Sequence, residues 1–139
     1  MNKSDHPRRV KGLGEVSIRV KDLDAMQKFY EEVVGLEVIR RDESFVFFKV
    51  AEGYGGHTQN LALFEAKSEQ LSPAGTTLHH IALNVALEDF ESEKLRLEGL
   101  GLKVNATYTS GYMFARCTSP TQKGIHWSSS VTMRVYDKS

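Results

Sequence analysis

Two residues whose side chains can accept a proton or bind a cation stand at equivalent places in this sequence. His80 opens a stretch that alternates between two faces as a β-strand does, and it shares its face with Ala82 and Asn84. These small neighbours leave room for a ligand beside the imidazole. The stretch Glu15–Val20 lies 65 residues earlier and matches position for position, with Glu15 in the place of His80.

The segments that follow the two strands are repeated as well. Each strand leads into an acidic, amphipathic segment, residues 22–24 in one copy and 87–90 in the other. Each segment leads in turn to a Gly-Leu-x-Val motif, at residues 35–38 and 101–104. Two copies of one supersecondary unit in a short chain indicate an internal duplication.

Periodicity predicts the elements that position these residues. In the first unit, a helix over 23–34 begins at the N-cap Asp22 and ends at Gly35. Strands are predicted over 15–20, 36–40, 45–51 and 60–64, which gives a β-α-β-β-β unit. In the second unit, a helix over about 88–98 follows the His80 strand, and a strand follows over 102–108. Four apolar residues are predicted to lie on or near the inner face of this second helix, namely Phe90, Leu95, Leu97 and Leu100.

Composition excludes several classes of function. The 139 residues suit one compact domain, and the formal net charge of zero gives no basic excess for nucleic acid or an anionic membrane. The basic cluster at residues 8–11 is interpreted as a solvated arm. No apolar run is long enough for a signal peptide or a spanning helix, so we expect a cytoplasmic protein. Cys117 is the single cysteine, which excludes an internal disulfide.

The tandem units, the Asp-Leu-Asp…Phe-Tyr helix and the Gly-Leu-Glu-Val strand resemble the vicinal oxygen chelate superfamily. This superfamily includes glyoxalase I, extradiol dioxygenases, and fosfomycin and bleomycin resistance proteins. The resemblance covers residues 12 to about 106. It implies an α+β fold of two tandem βαβββ modules that form a cupped, partly closed mixed β-sheet with helices outside. We expect one domain over 1–139, with modules at about 12–66 and 77–137 joined by a linker at 67–76.

The resemblance also implies a divalent metal held at up to four equivalent points, on the opening and last strands of each unit. Carried over to this sequence, the opening strands supply Glu15 and His80 as metal ligands. The point on the last strand of the first unit falls near Ala62, which has no ligating atom. The fourth point should be a glutamate after an Asp-Pro-Glu-Gly-Asn turn, and this chain has no such turn.

An altered reading frame would account for the missing turn. Codons permitted for residues 120–133, read from the last base of the Pro120 codon, give Asp-Pro-Glu-Gly-Asn-Thr-Leu-Glu-Phe-Val-Cys-Tyr-Asp. We therefore suspect a frameshift from about residue 108, with a divergent natural tail as the alternative. The ancestral glutamate would then lie across Trp127 and Ser128. Alternation at Val131, Met133 and Val135 still predicts a closing strand.

The implied function follows from the metal. A divalent cation (Mn, Fe, Mg, Zn or Ni) would bind a small substrate through two vicinal oxygens and stabilise the negative charge that develops as a proton moves. Glu15 would be a ligand and, if it detaches from the ion, also the base. The alternatives are a non-enzymatic drug-binding protein of the bleomycin-resistance type and a copy with a disabled metal site, in which the metal is absent. A homodimer is implied by the resemblance.

Each candidate residue also has a structural interpretation. His80 is either a ligand or a core histidine, and Glu15 either a ligand or an exposed, paired carboxylate. Arg19 either holds an anionic substrate or forms a surface pair with a glutamate. The remaining pocket candidates are either pocket-lining or ordinary loop and core side chains: His57, Phe48, Tyr54 and Tyr112.

Overall fold

A computed structural model describes residues 9–67, 80–109, 112–118 and 130–136, and side chains over 9–67 and 81–105. The chain is α+β and divides into two compact units, Met1–Leu71 and Ser72–Ser139. Each unit contains a mixed four-stranded sheet. The predicted linker falls mostly on residues 68–79, which lie outside the described residues.

The first unit has the predicted order of elements, each within three residues of its predicted bounds. The elements are β1 (Glu15–Val20), α1 (Leu23–Lys28), a π-helical segment (Phe29–Val34), β2 (Glu37–Arg41), β3 (Phe45–Glu52) and β4 (Thr58–Glu65). Strands β1 and β4 run parallel, and the sheet order is β1-β4-β3-β2.

The predicted helix over 23–34 is α-helical only in its first half. Asp22 caps it as predicted, since its side chain accepts a hydrogen bond from the Ala25 N–H at 3.0 Å. The second half widens into the π-helical segment, in which the Gly35 N–H bonds to the Tyr30 carbonyl five residues back. Gly35 ends the segment in the left-handed region at φ 84°.

The helix covers one face of the first sheet, and the hydrophobic core of the unit lies between the helix and this face. Phe48 is fully buried there, and its ring lies 5.7 Å from that of Tyr30. Pairing across the strands places Val16, Leu61, Phe48 and Val38 in one row on this face. The opposite face, called the open face below, carries the alternate residues of each strand. Its row at the start of β1 consists of Glu15, Asn60, Lys49 and Glu37.

Two β-bulges in the first sheet change which residues reach the open face. A register shift between Val38 and Arg40 places Arg40 opposite Phe47 and Arg41 opposite Val46. Arg41 therefore lies on the helix side, where it bonds to Asp24 of α1 at 2.7 Å. A second shift, between Lys49 and Ala51, similarly places Glu52 on the face of Lys49.

The second unit repeats this topology. Its elements are β5 (His80–Asn84), a short 3₁₀ turn (Leu87–Asp89), α2 (Phe90–Gly99), β6 (Lys103–Thr109), β7 (Tyr112–Thr118) and β8 (Ser130–Tyr136). Strand β5 runs parallel to β8, and the sheet order is β5-β8-β7-β6. The closing strand predicted from alternation is present as β8.

The inner face of α2 is narrower than predicted. Phe90 and Leu97 are buried, whereas Leu95 is 64% exposed and Leu100 is 54% exposed. With about 3.6 residues per turn, positions seven apart share a face, while Leu95 is five residues from Phe90 and lies on the other side. Leu100 is the C-cap, where the helix has already ended.

Candidate functional site

Glu15 begins β1 on the open face of the first sheet, and its carboxylate is exposed. The hydroxyl of Ser17, two residues along the same face, donates a hydrogen bond to Glu15 Oε1 at 2.6 Å. This bond orients the carboxylate and leaves the second oxygen, Oε2, available to a cation or a proton.

Asn60 lies directly opposite Glu15 in the parallel pairing of β1 and β4. Its backbone N–H donates to the Gly14 carbonyl at 2.9 Å, which fixes this register. Its side-chain Oδ1 is buried and has no hydrogen-bond partner among the described residues. A buried amide oxygen without a hydrogen-bond partner destabilises the folded state by about 1–3 kcal/mol, so this atom is suited to accept a hydrogen bond or to bind a cation.

Asn60 was not among the predicted ligands, because the family resemblance puts the equivalent point near Ala62. In the structure Ala62 is fully buried and lies opposite Ser17 and Phe47, one row further along the open face. The polar side chain at the start of β4 was the available signal. Asn60 and Ala62 are two residues apart on the same face of β4, so the sequence pattern alone does not say which of them lies beside Glu15. The pairing of β1 with β4 decides that it is Asn60.

The row that contains Glu15 and Asn60 continues into a charged group on β2 and β3. Lys49, opposite Asn60, pairs with Glu52 at 2.6 Å on the same face. The hydrogen bond from Lys49 to Glu52 and the charge of that carboxylate raise the pKa of Lys49 above its usual value, and Glu37 adds to the effect. With Glu15, this end of the open face holds three carboxylates and one ammonium.

His80 begins β5, the strand that occupies the place of β1 in the second sheet. Its register partner on β8 is Ser130, as Asn60 is the partner of Glu15 on β4. The partner of His80 on the last strand of the second unit is therefore a serine, whereas the resemblance implies a glutamate on that strand. Trp127 and Ser128, across which the ancestral glutamate is predicted to fall, lie outside the described residues.

The other predicted pocket residues occupy different parts of the chain. Phe48 lies on the helix side with no exposed surface and packs in the core, not on the open face. Tyr54, in the 3₁₀ turn Tyr54–Gly56, is 69% exposed. His57 is also exposed, directly after that turn. Tyr112 is the first residue of β7.

Gly53 sets the course of the loop that carries Tyr54 and His57. Its N–H donates to the His57 carbonyl at 2.6 Å, and a Cβ at Gly53 would lie 2.4 Å from that same oxygen. Only glycine allows this closure. The loop lies at the β3–β4 turn, next to the end of β4 that carries Asn60.

The donor set of the first unit fits a hard divalent cation. A carboxylate and an amide oxygen are the oxygen ligands such ions prefer, and Asn60 Oδ1 is buried with no competing bond among the described residues. Over the side chains that the structure describes, no group of three or more His, Cys, Asp or Glu residues is placed to hold a metal. The first unit therefore offers two candidate oxygen donors, and a metal centre with three protein ligands would need one more.

The sequence model of the Glyoxalase/Bleomycin resistance protein/Dioxygenase superfamily matches residues 12–127. The chain belongs to this superfamily. The match confirms the family that the sequence motifs indicated. No curated protein sequence matches the chain significantly.

Several solved structures share the fold of this chain. An integron cassette protein from a sewage-outfall metagenome of Halifax Harbour aligns with a TM-score of 0.67 at 22% identity, over 91% of this chain and 99% of its own. A lactoylglutathione lyase from Agrobacterium tumefaciens aligns with a TM-score of 0.65 at 21% identity, over 94% of this chain and 96% of its own. A fosfomycin resistance protein from Listeria monocytogenes aligns with a TM-score of 0.63 at 19% identity, over 93% of this chain and 96% of its own. Identities this low establish the fold alone.

None of the described helices is long and apolar enough to cross a membrane.

Proposed function

We propose that this chain is a divalent-metal-dependent enzyme of the superfamily that acts on a small molecule with two neighbouring oxygens. The observation that carries the proposal is the pairing of Glu15 with Asn60, whose buried Oδ1 lacks a partner among the described residues. The superfamily resemblance adds His80 to these two oxygen donors, and His80 is proposed as the third ligand on that ground alone.

When bound, a divalent cation supplies a positive charge that stabilises negative charge on substrate oxygens. The residues of the chain divide the remaining work. Asn60 gives a neutral oxygen ligand that does not titrate. Glu15 Oε1 accepts a hydrogen bond from the Ser17 hydroxyl, so Oε2 is the oxygen that would bind the ion. The same oxygen would take a proton from the substrate only after it leaves the ion.

The equal order of elements and of strands in the two units supports the interpretation of tandem βαβββ modules. The cupped, partly closed sheet, the homodimer and the cytoplasmic location stay predictions.

Metal binding tests the proposal directly. The purified chain, expressed with Mn²⁺ and then titrated with Mn²⁺ after chelation, is expected to bind one ion per chain in calorimetry and electron paramagnetic resonance. Glu15→Gln and His80→Ala are each expected to weaken binding about tenfold or more, because each removes one ligand. Glu32→Gln, an exposed glutamate on the π-helical segment, is the matched control and should bind as the wild type does. Equal Mn²⁺ affinity of wild type and both ligand variants would exclude the site.

A metal-free binding protein is the second candidate. One observation favours it, namely Ser130 as the register partner of His80. This candidate predicts no stoichiometric metal after supplementation. A copy disabled by a frameshift predicts instead that restoring the frame from about codon 108 restores Mn²⁺ binding.

A further inference from the structure

The open face of the first sheet changes character along β1. Charged residues of both signs lie in and beside the row of Glu15 at the start of the strand, whereas aromatic rings and arginines occupy the other end. We call this second group the aromatic–arginine patch. It consists of Phe45, Phe47, Phe64, Arg19 and Arg40.

The three phenylalanines form one ring cluster. Phe45 lies 5.0 Å from Phe47, and Phe64 lies 6.0 Å from each of them, measured between ring centroids. All three are half-buried, unlike the fully buried Phe48 on the helix side. Exposed apolar patches on soluble proteins are often binding sites, so this ring cluster is a candidate place for an apolar group to bind.

The two arginines of the patch are available to an anion. The Arg40 guanidinium lies 5.3 Å from the centroid of Phe45, and Arg19 is the register partner of Phe64. Both are exposed, and neither has an acidic partner among the described side chains. A guanidinium stacked on a ring keeps its N–H groups free to form a two-point bond with a carboxylate.

We infer that the aromatic–arginine patch binds the aromatic carboxylate portion of a small-molecule ligand. As an assignment of substrate class the inference rests on the proposed function, because the same face carries Glu15 and Asn60. Four residues of β1 separate Glu15 from Arg19, which is about 13 Å in an extended strand. A ligand of roughly this length places its ring and carboxylate on the patch while its other end reaches the oxygen donors.

Calorimetric titration with 2-naphthoate tests the patch, with 2-naphthamide as the uncharged analogue and acetate as the analogue without a ring. The chain is titrated once in chelator and once with Mn²⁺. We expect 2-naphthoate to bind in both, and acetate in neither. Arg40→Gln should weaken 2-naphthoate about tenfold, since a charged hydrogen bond is lost, and should leave 2-naphthamide unchanged.

Arg41→Gln is the matched control. It removes the next arginine along β2, which faces the helix and pairs with Asp24. Its melting temperature, recorded beside that of Arg40→Gln, separates loss of binding from loss of fold. Equal weakening of 2-naphthoate by both variants at unchanged melting temperature would overturn the inference, as would equal affinity for 2-naphthoate and 2-naphthamide.

Size-exclusion chromatography of Arg40→Gln distinguishes another occupant. If the variant alters the oligomeric state and leaves 2-naphthoate binding unchanged, the patch contacts another copy of the chain and the inference fails. Binding of 2-naphthoate in chelator, together with failure of the Mn²⁺ titration, would support the patch and contradict the proposed metal enzyme. The two proposals therefore fail separately.

Discussion

Glu15 and Asn60 are direct partners in the parallel pairing of β1 and β4, so their side chains project from the same face of the sheet. Adjacent strands are about 4.8 Å apart, a separation at which one cation can contact a ligand from each. The carboxylate has a hydrogen bond from Ser17, whereas Asn60 Oδ1 has none among the described residues. This contrast gives the first two predictions.

Asn60→Ala should leave the stability of the metal-free chain nearly unchanged and should reduce the stabilisation by Mn²⁺. In chelator its free energy of unfolding should stay within about 1 kcal/mol of wild type, because the lost side chain includes a buried oxygen that made no bond. With Mn²⁺, the variant should lose most of the rise in melting temperature that the ion gives wild type. Thermal denaturation in both conditions measures this, and Gln59→Ala, one residue earlier on β4, is the control. An unchanged Mn²⁺ response would show that Asn60 is not a ligand.

Asn60→Asp places a second carboxylate beside Glu15. Without metal the two like charges should lower the melting temperature and raise the pKa of the pair, and with Mn²⁺ the added charge should tighten binding. The measurements are melting temperature against pH and Mn²⁺ titration. A weaker affinity for Mn²⁺ than wild type would contradict the assignment.

Phe48 should be a stability residue. Phe48→Ala removes a fully buried ring that contacts Tyr30, and we expect a loss of about 3–5 kcal/mol in the free energy of unfolding. Leu95→Ala, at an exposed position of α2, should change it by less than about 0.5 kcal/mol. Urea denaturation measures both. Near-equal losses would show that the burial of these two side chains is assigned incorrectly.

Gly35 and Gly99 give a matched pair of helix-end glycines. Neither has an atom within 4 Å of a built Cβ, but Gly35 has φ of 84° and Gly99 is inside the last turn of α2. Gly35→Ala should destabilise by about 1–2 kcal/mol, because an L-residue is strained there. Gly99→Ala should be neutral or stabilise by up to about 1 kcal/mol, because alanine restricts the unfolded chain. Urea denaturation should show these opposite signs.

The Glu93–Arg96 pair on α2 should contribute to stability only above acid pH. The hydrogen bond from Arg96 lowers the pKa of Glu93 below its usual 4.5, so the contribution is present above that value and is lost as pH falls through the lowered pKa. Glu93→Gln should cost about 0.3–0.5 kcal/mol near pH 7, since the pair is partly exposed, and progressively less as the pH falls through the lowered pKa. Urea denaturation over a pH series from 7 downwards checks this. A cost that does not change with pH would show that it comes from packing and not from the ion pair.

The sequence by itself determined the family, the order of the elements and most of their bounds. Alternation identified β1 and β8, and the chemistry of Asp22 and Gly35 set the ends of the first helix, because these signals depend on neighbours along the chain. The widening of that helix at Phe29–Val34 was not predicted, since no residue type there requires it.

Only the tertiary structure decided which side chains share a face and a row. A bulge in β2 placed Arg40 beside the aromatic rings and Arg41 against α1, and the register of β4 placed Asn60, not Ala62, opposite Glu15. Bulges and register are fixed by hydrogen bonds between strands that are distant in sequence. Since one residue of shift reverses the faces of a whole strand, local patterns in the sequence do not contain this information.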